Sequence, residues 1–578
     1  MTLPKKAPIG VDNFAELIDK KRNYLFVDKT LMIKELIDSD EKVALILRPR
    51  RWGKSMNMSM LKYFFTPLVR GLSTSGMFDE LNIAKEDDGR YIKEYQGKHP
   101  VITISFKDVK ELTFEVAIGK IGILIYNVIN EFADLPNFFD NFQNLKDLHH
   151  NLLHKKATNE DLQESFKLLS ECLYQYYNQK VVIIIDEYDA PLNASYSNPE
   201  LFEQLVNFFK GFFGAAFKGN DALEKGVMTG ILRLSKNNML SDLNNLRLYS
   251  MSSDQYSDSF GFFEDDVKEL FAQANVECDL PAIKSWYNGY KCGQRDGIYN
   301  PWSIVNCIRD KGKLAPYWIK TGNDDLLRDI FVNSGTDIQE EIQTLLAGGS
   351  VRATIDDFIS FDQIKEGHEE LLWSALWALG YLKISGETKL FGSMMECNLV
   401  IPNREVDCSY RSVFIWFFRS MRASKRYYHA VEALVAGDVE NFISGLRDFM
   451  KNSVSYHDLR DETHYHILIL GMLSVLKEDY IVVSNRESGY GRFDIALAPY
   501  DRQKDFGIII EFKKEKVGQP LEFYEQKAKD ALMQIKEKKY DACFSSHKNL
   551  KKILNLAMVF CGKEVIFEYS LNKLDVSH

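Results

Sequence analysis

The chain has 578 residues, 45% of them hydrophobic and 27% charged, with a formal net charge of −10. That length predicts two to four domains, and the composition is that of a folded globular chain rather than a disordered or collagen-like one. The acidic balance disfavours a general nucleic-acid coat, although 12 Lys against 8 Asp or Glu between Lys504 and Lys552 leave one local basic region.

Cysteines 172, 278, 292, 307, 397, 408, 543 and 561 form no CxxC pair and no metal-ligand cluster, so reduced, mostly buried thiols are expected. The opening MTLPKKAPIGVDNF has no apolar signal core, and no run reaches the roughly 18 apolar residues of a membrane span. A cytoplasmic protein without a membrane partner is expected.

From about 40 to 235, apolar runs alternate with helical patterns. KVALILR (42–48), PVITISF (100–106), VVIIIDE (181–187) and GVMTGIL (226–232) read as strands, with helices over 55–65 and 160–178. Continuous apolar strands interleaved with amphipathic helices predict a mostly parallel sheet covered on both faces. From 260 to 450 the pattern is helical and irregular, with aromatic loops WYNGYKCG and YNPWS. Residues 369–386 read as a helix running into a strand, and with CNLVIPN (397–403) they suggest a small winged-helix-like module. From about 455 the order is helix, two strands, helix (522–539), then strands near 540–545 and 556–568. The expected fold class is α/β: a phosphate-loop sheet domain over 1–255, a helical lid and winged-helix-like region over 256–450, and a further α/β domain over 451–578.

Residues 48–55 read RPRRWGKS, between an apolar strand and a helix. The phosphate-loop pattern is GxxxxGK[ST]; Gly53, Lys54 and Ser55 are in register, and Arg48 replaces the first glycine. Backbone N–H groups of Arg50, Arg51, Trp52 and Gly53 at a helix N-terminus would cradle phosphate. Lys54 would reach the outer phosphates, and Ser55 would ligate Mg²⁺. The strand VVIII ends in Asp186-Glu187, as a Walker B element requires, with Asp186 holding Mg²⁺ and Glu187 polarising water. Thr229, at the end of another strand, is a candidate sensor of the terminal phosphate, or else a threonine satisfied within the sheet. Arg233 and Arg247 are candidate charge-stabilising fingers, or else ordinary surface arginines.

PIGVDNF, YLFVDKT, RPRRWGKS, IIIDEYDAPL, TGILRLSK, WYNGYKCG and YNPWS follow one another in the order seen in the bacterial AAA-ATPase-like family. The resemblance covers roughly residues 5–320 and implies an ATP-binding core followed by a helical lid, with Arg48 a family feature. A homo-oligomer is compatible with such a module.

In the C-terminal region, GRFDIALAPYDRQKDFGIIIEFKKEK (491–516) places Asp494 on one apolar strand and Glu511 and Lys513 on the next. Glu511 and Lys513 are two apart and share a face. Paired as a hairpin, the strands bring Asp494 near Glu511, and two carboxylates suit a hard divalent cation while a lysine positions water. A polar hairpin edge is the simpler alternative. The spacing, with GRFD and IEFK, resembles the PD-(D/E)XK nuclease superfamily. That resemblance implies Asp494, Glu511 and the upstream Glu462 as metal-shell residues. It also makes Gln534 and Tyr540 similar to the Gln…Tyr motif of one branch. Relatives often carry Glu before GRxD; here Asn485 stands there, with Glu487 nearby. His464 and His466 read as satisfied helix residues.

The combined expectation is an ATP- and Mg²⁺-dependent hydrolase, with Mn²⁺ acceptable at the nuclease site. It would cleave nucleic acid, DNA ahead of RNA, under control of nucleotide state, in bacterial defence or mobile-element biology. A regulatory nucleotide switch whose C-terminal domain binds nucleic acid or protein without cutting is the alternative.

Overall fold

The computed structural model describes residues 3–195, 198–233, 243–318, 336–346, 348–357, 369–391, 394–420, 424–453, 465, 469, 470, 472, 473, 476, 480–488, 491–499, 506–544, 547 and 550–573. The chain forms two compact units. The first comprises 1–322 and 352–406, the second 323–351 and 407–578.

The core of the first unit is a five-stranded parallel sheet built from β1 (Val43–Leu47), β2 (Val101–Ser105), β3 (Val181–Asp186), β4 (Leu223–Gly230) and β5 (Leu246–Tyr249). The spatial order is β2-β3-β4-β1-β5. Alternate residues serve opposite faces. Val43, Leu45, Ile102, Ile104, Ile183 and Ile185 pack under α2 (Phe114–Asn130), α3 (Asn159–Tyr177) and α4 (Pro199–Phe217). Ala44, Ile46, Val182 and Ile184, which point the other way, are equally buried. Burial on both faces explains the uninterrupted apolar runs, each large side chain contributing about 1.5–3 kcal/mol. The fourth expected strand is present, and β5 was missed because four residues of alternating Leu-Arg-Leu-Tyr carry too little pattern. In each case the chain leaves the strand toward the same edge of the sheet, so the ends of β1, β3 and β4 meet there.

Helix α5 (Pro301–Arg309) begins inside the YNPWS loop, with Pro at its first turn and Asn300 as N-cap. Further along, α6 (Glu369–Ala378) runs into the hairpin β6 (Lys383–Phe391) and β7 (Met394–Val400), the helix-plus-hairpin order read from the sequence. The chain then enters α7 (Arg404–Ser420).

The second unit carries α8 (Val439–Ser453) and a mixed sheet in chain order: β8 (Tyr480–Ser488), β9 (Gly491–Pro499), β10 (Phe506–Lys514), β11 (Lys552–Cys561) and β12 (Glu564–Lys573). Only β10 and β11 are parallel, and α9 (Leu521–Glu537) provides the crossover that such a pair needs. Ile508, Ile510 and Phe512 pack on one face with Phe442 and Leu446 of α8. Ile509 faces the other way, with Ile535, Tyr540 and Phe544. The strand expected at 540–545 is instead a short 3₁₀ helix, Tyr540–Phe544. Its two aromatic residues, Tyr540 and Phe544, are both buried.

Candidate active sites

The first site forms where β1 turns into α1 (Lys54–Phe65). Gly53 caps that helix at φ 85°, a left-handed conformation open to glycine at little cost; a Cβ there would meet nothing within 4 Å, so backbone conformation rather than space selects glycine. Arg51 is also left-handed, at φ 66°. Its exposed guanidinium lies 4.3 Å from the Trp302 ring centroid, and buried Trp52 meets Tyr290 edge-on at 5.3 Å. The phosphate loop is thus braced by aromatic residues of the WYNGYKCG and YNPWS segments. Arg50 is exposed beside it.

Arg48, in place of the first glycine, does not face the loop. It is fully buried, and Nη1 donates to the carbonyls of Leu47 (2.8 Å), Tyr249 (3.2 Å) and Ser250 (2.7 Å), while Nη2 donates to Tyr256 O (3.3 Å). It ties the end of β1 to the end of β5 and the turn beyond.

Lys54 is 6% exposed and donates to the carbonyls of Arg48 and Pro49, both at 2.9 Å. Burial pushes its pKa below the ordinary lysine range, against the pull of the Asp186, Asp189 and Glu187 carboxylates. Ser55 Oγ donates to Asp186 Oδ2 at 2.6 Å, and Thr229 Oγ1 donates to Asp186 Oδ1 at 2.5 Å. The strand order explains this convergence, because β4 lies between β1 and β3 and carries Thr229 between the loop and Asp186. Glu187 follows at φ 50°, and burial, with Asp186 next to it, raises its pKa. The donors gathered here are hydroxyl and carboxylate oxygens, a set that fits a hard cation such as Mg²⁺.

Two residues of the DEYD motif escaped sequence reading. Asp189, 1% exposed, accepts the N–H groups of Ile231 (2.8 Å) and Leu232 (3.3 Å), and Tyr188 Oη donates to Leu232 O at 2.9 Å. They fix the chain just past Thr229. The available signal was an acidic residue three after Asp186 in an apolar setting. Arg233 follows this anchored stretch. Arg247 is exposed in the interior of β5, opposite Ala44 and 5.5 Å from the Tyr249 ring, short of the strand ends where the other groups meet.

The second site lies on β9 and β10. Their antiparallel register pairs Ile495 with Ile510, and one step further sets Asp494 opposite Glu511. There the Asp494 carboxylate accepts the Phe512 N–H at 2.7 Å. Glu511 is 2% exposed, and its Oε1 accepts from Lys513 Nζ at 3.0 Å and from Gln534 Nε2 of α9 at 2.5 Å. Gln534 also reaches Tyr540 Oη at 3.1 Å. Burial pushes the Tyr540 pKa up, the Gln534 hydrogen bond opposes this, and Glu511 and Asp494 push it further up. Asp494, Glu511, Lys513, Gln534 and Tyr540 are therefore one neighbourhood. Two carboxylates fit a divalent cation, and among the described residues no group of three or more His, Cys, Asp or Glu gathers, so further donors would be backbone, water or substrate oxygens. Asn485 and Glu487 fall on β8. Glu462, His464 and His466 lie outside the described residues. Among the described residues no helix is long and apolar enough to cross a membrane.

Residues 8–240 match the family model described as "Predicted AAA-ATPase" (AAA-ATPase-like), and residues 460–570 match that of the PD-(D/E)XK nuclease superfamily. A protein of Azotobacter chroococcum mcd 1, described as "Uncharacterized protein in vnfD 5'region", is 29% identical over 414 residues, which cover 70% of this chain and 69% of that protein.

Proposed function

We propose, for a chain that joins an AAA-ATPase-like region to a PD-(D/E)XK nuclease-superfamily region, an ATP-hydrolysing protein whose C-terminal unit cuts nucleic acid. DNA is the expected substrate ahead of RNA, and Mg²⁺ the expected cation, with Mn²⁺ as a substitute at the nuclease site. Nucleotide state gates the cut, and the setting is bacterial defence or mobile-element biology.

The observation that carries this reading is Glu511, a carboxylate 2% exposed that nevertheless gathers Lys513 and Gln534 on one oxygen. Burying a carboxylate is costly unless it is matched by hydrogen bonds and charge, and such costs concentrate at functional sites. Asp494 and Glu511 would hold the cation, which when bound supplies a Lewis acid that activates water and shields phosphate charge. Lys513 positions the attacking water beside Glu511, and Gln534, braced by Tyr540, fixes the Glu511 oxygen. In the first unit Lys54 and the loop amides bind phosphates, with Arg50, Arg51 and Trp52 shaping the loop. Ser55 and Asp186 are the residues for Mg²⁺, Glu187 polarises water, and Thr229 links Asp186 to the terminal phosphate.

The test is cleavage of single- and double-stranded DNA and RNA by the full chain with Mg²⁺, with and without ATP. Wild type should cut and Glu511→Ala should not. Intact nucleic acid under every condition overturns the nuclease reading, and equal cutting by Glu511→Ala overturns the assigned site. If Lys54→Ala cuts as wild type does whether or not ATP is present, gating is wrong.

A further inference from the structure

Beside the phosphate loop lies an apolar cavity of about 140 Å³. One water needs roughly 10–15 Å³ of such space, so the cavity has room for a molecule the size of a purine. Its walls include Pro8 and Val11 from the N-terminal segment, Trp52 and Gly53 from the loop, and Phe262 and Pro301 from the segment that follows the sheet. Gly53 thus borders both the phosphate cradle and this cavity, so a ligand with phosphates on the loop has a mostly apolar space adjoining it.

One polar side chain on that wall has a fixed orientation. Asn57, in the first turn of α1, lines the cavity and is 6% exposed. Its Nδ2 donates to Ser259 O at 2.7 Å. A carbonyl accepts only from the amide nitrogen, so this bond settles which end of the carboxamide is which. Among the described residues Oδ1 accepts no hydrogen bond, so the carboxamide keeps an unengaged acceptor on the cavity wall while its Nδ2 is drawn to the Ser259 carbonyl. Adenine carries an exocyclic amine, a donor; guanine in the same pose carries a carbonyl oxygen, which an acceptor repels.

We propose that Asn57 is a base-reading residue that selects adenine over guanine nucleotides, its Oδ1 accepting from the exocyclic amine of a base held in this cavity. The proposal rests on the nucleotide-binding reading above. A neutral hydrogen bond made only by the correct base sets a preference of roughly tenfold, and more where the mismatched pair leaves a polar group unsatisfied.

The experiment is competition against a ribose-labelled fluorescent ATP on the full chain with Mg²⁺. The competitors are ATP, GTP and purine riboside triphosphate, which lacks only the exocyclic amine. Wild type should bind ATP roughly tenfold more tightly than purine riboside triphosphate, with GTP weaker than ATP. Asn57→Leu should erase the ratio between ATP and purine riboside triphosphate; a merely structural role would lower both affinities together and leave the ratio intact. A wild-type protein that binds the two equally overturns the assignment, and so does an Asn57→Leu protein that keeps the preference. Failure to bind any of the three overturns the nucleotide-binding reading along with it, whereas tight but equal binding overturns the base assignment alone.

Discussion

The Asp494 carboxylate accepts the Phe512 N–H at 2.7 Å, just past the Ile495–Ile510 pair at which the ladder between β9 and β10 ends. Asp494 therefore shapes the strand end that presents Glu511 and Lys513, besides being a candidate cation ligand. The two roles separate in Asp494→Asn, because the amide oxygen still accepts from Phe512 while the negative charge is lost. Nuclease activity with Mg²⁺ should fall by at least roughly 100-fold while the thermal midpoint stays close to wild type. An Asn variant that is active, or one that is inactive only because it melts early, would contradict the catalytic role. Chelating divalent cations should abolish wild-type cutting, and added Mg²⁺ should restore it.

Arg48→Gly restores the glycine of the standard phosphate loop, yet the structure predicts that it destabilises the fold. Removing the guanidinium strips hydrogen bonds from four carbonyls in the buried space between β1, β5 and the turn after it. With ~1–3 kcal/mol for each buried group left unsatisfied, and some recovery by entering water, a loss of at least roughly 3 kcal/mol is expected. Chemical denaturation of the purified variant measures it; an unchanged midpoint would refute the anchoring role.

Thr229→Val keeps the shape of a fully buried side chain and deletes its bond to Asp186. ATP binding should persist, since Lys54 and the loop are untouched, while phosphate release should slow by roughly tenfold or more. Equal turnover by the two proteins would return Thr229 to the role of a threonine satisfied within the sheet.

Glu405, in the first turn of α7, is fully buried and accepts from Ser303 Oγ at 2.6 Å and Trp318 N at 2.7 Å. Burial nevertheless pushes its pKa up to about 7, above the 4.5 of an unperturbed glutamate. A raised carboxyl pKa means that the folded state holds the proton more tightly than the unfolded state. The stabilisation is complete below about pH 4.5 and is lost as pH rises toward 7, a change of about 3 kcal/mol. Glu405→Gln should remove this component, so that the difference in thermal midpoint between wild type and variant varies across that window. A difference that stays constant from pH 5 to pH 8 would show that Glu405 does not titrate there.

Much of this molecule was legible in the one-dimensional pattern. The five-residue apolar runs in KVALIL and VVIII, and the mostly apolar VITIS, announce strands buried on both faces, because short β-branched and aliphatic runs of that length suit a sheet covered on both sides. The motif residues Lys54, Ser55, Asp186, Asp494, Glu511 and Lys513 were legible because local geometry fixes them at strand ends or on one strand face. Tyr480–Ser488 escaped notice, its YIVV start diluted by polar SNRES, and Tyr540–Phe544 was misread because five residues carry too little periodicity to separate strand from 3₁₀ helix.

The sequence by itself determined which candidate residues make up each motif and what kinds of element hold them, since both follow from side-chain type and short-range spacing. Only the tertiary structure decided who meets whom. The insertion of β4 between β1 and β3 places Thr229 on Asp186, although they are 43 residues apart. The crossover through α9 delivers Gln534 to Glu511. Arg48, which in the sequence only replaces the first glycine of the loop pattern, becomes a core anchor because three of its carbonyl partners lie about 200 residues later in the chain. Such pairings depend on strand order and long-range burial, which spacing along a single chain does not encode.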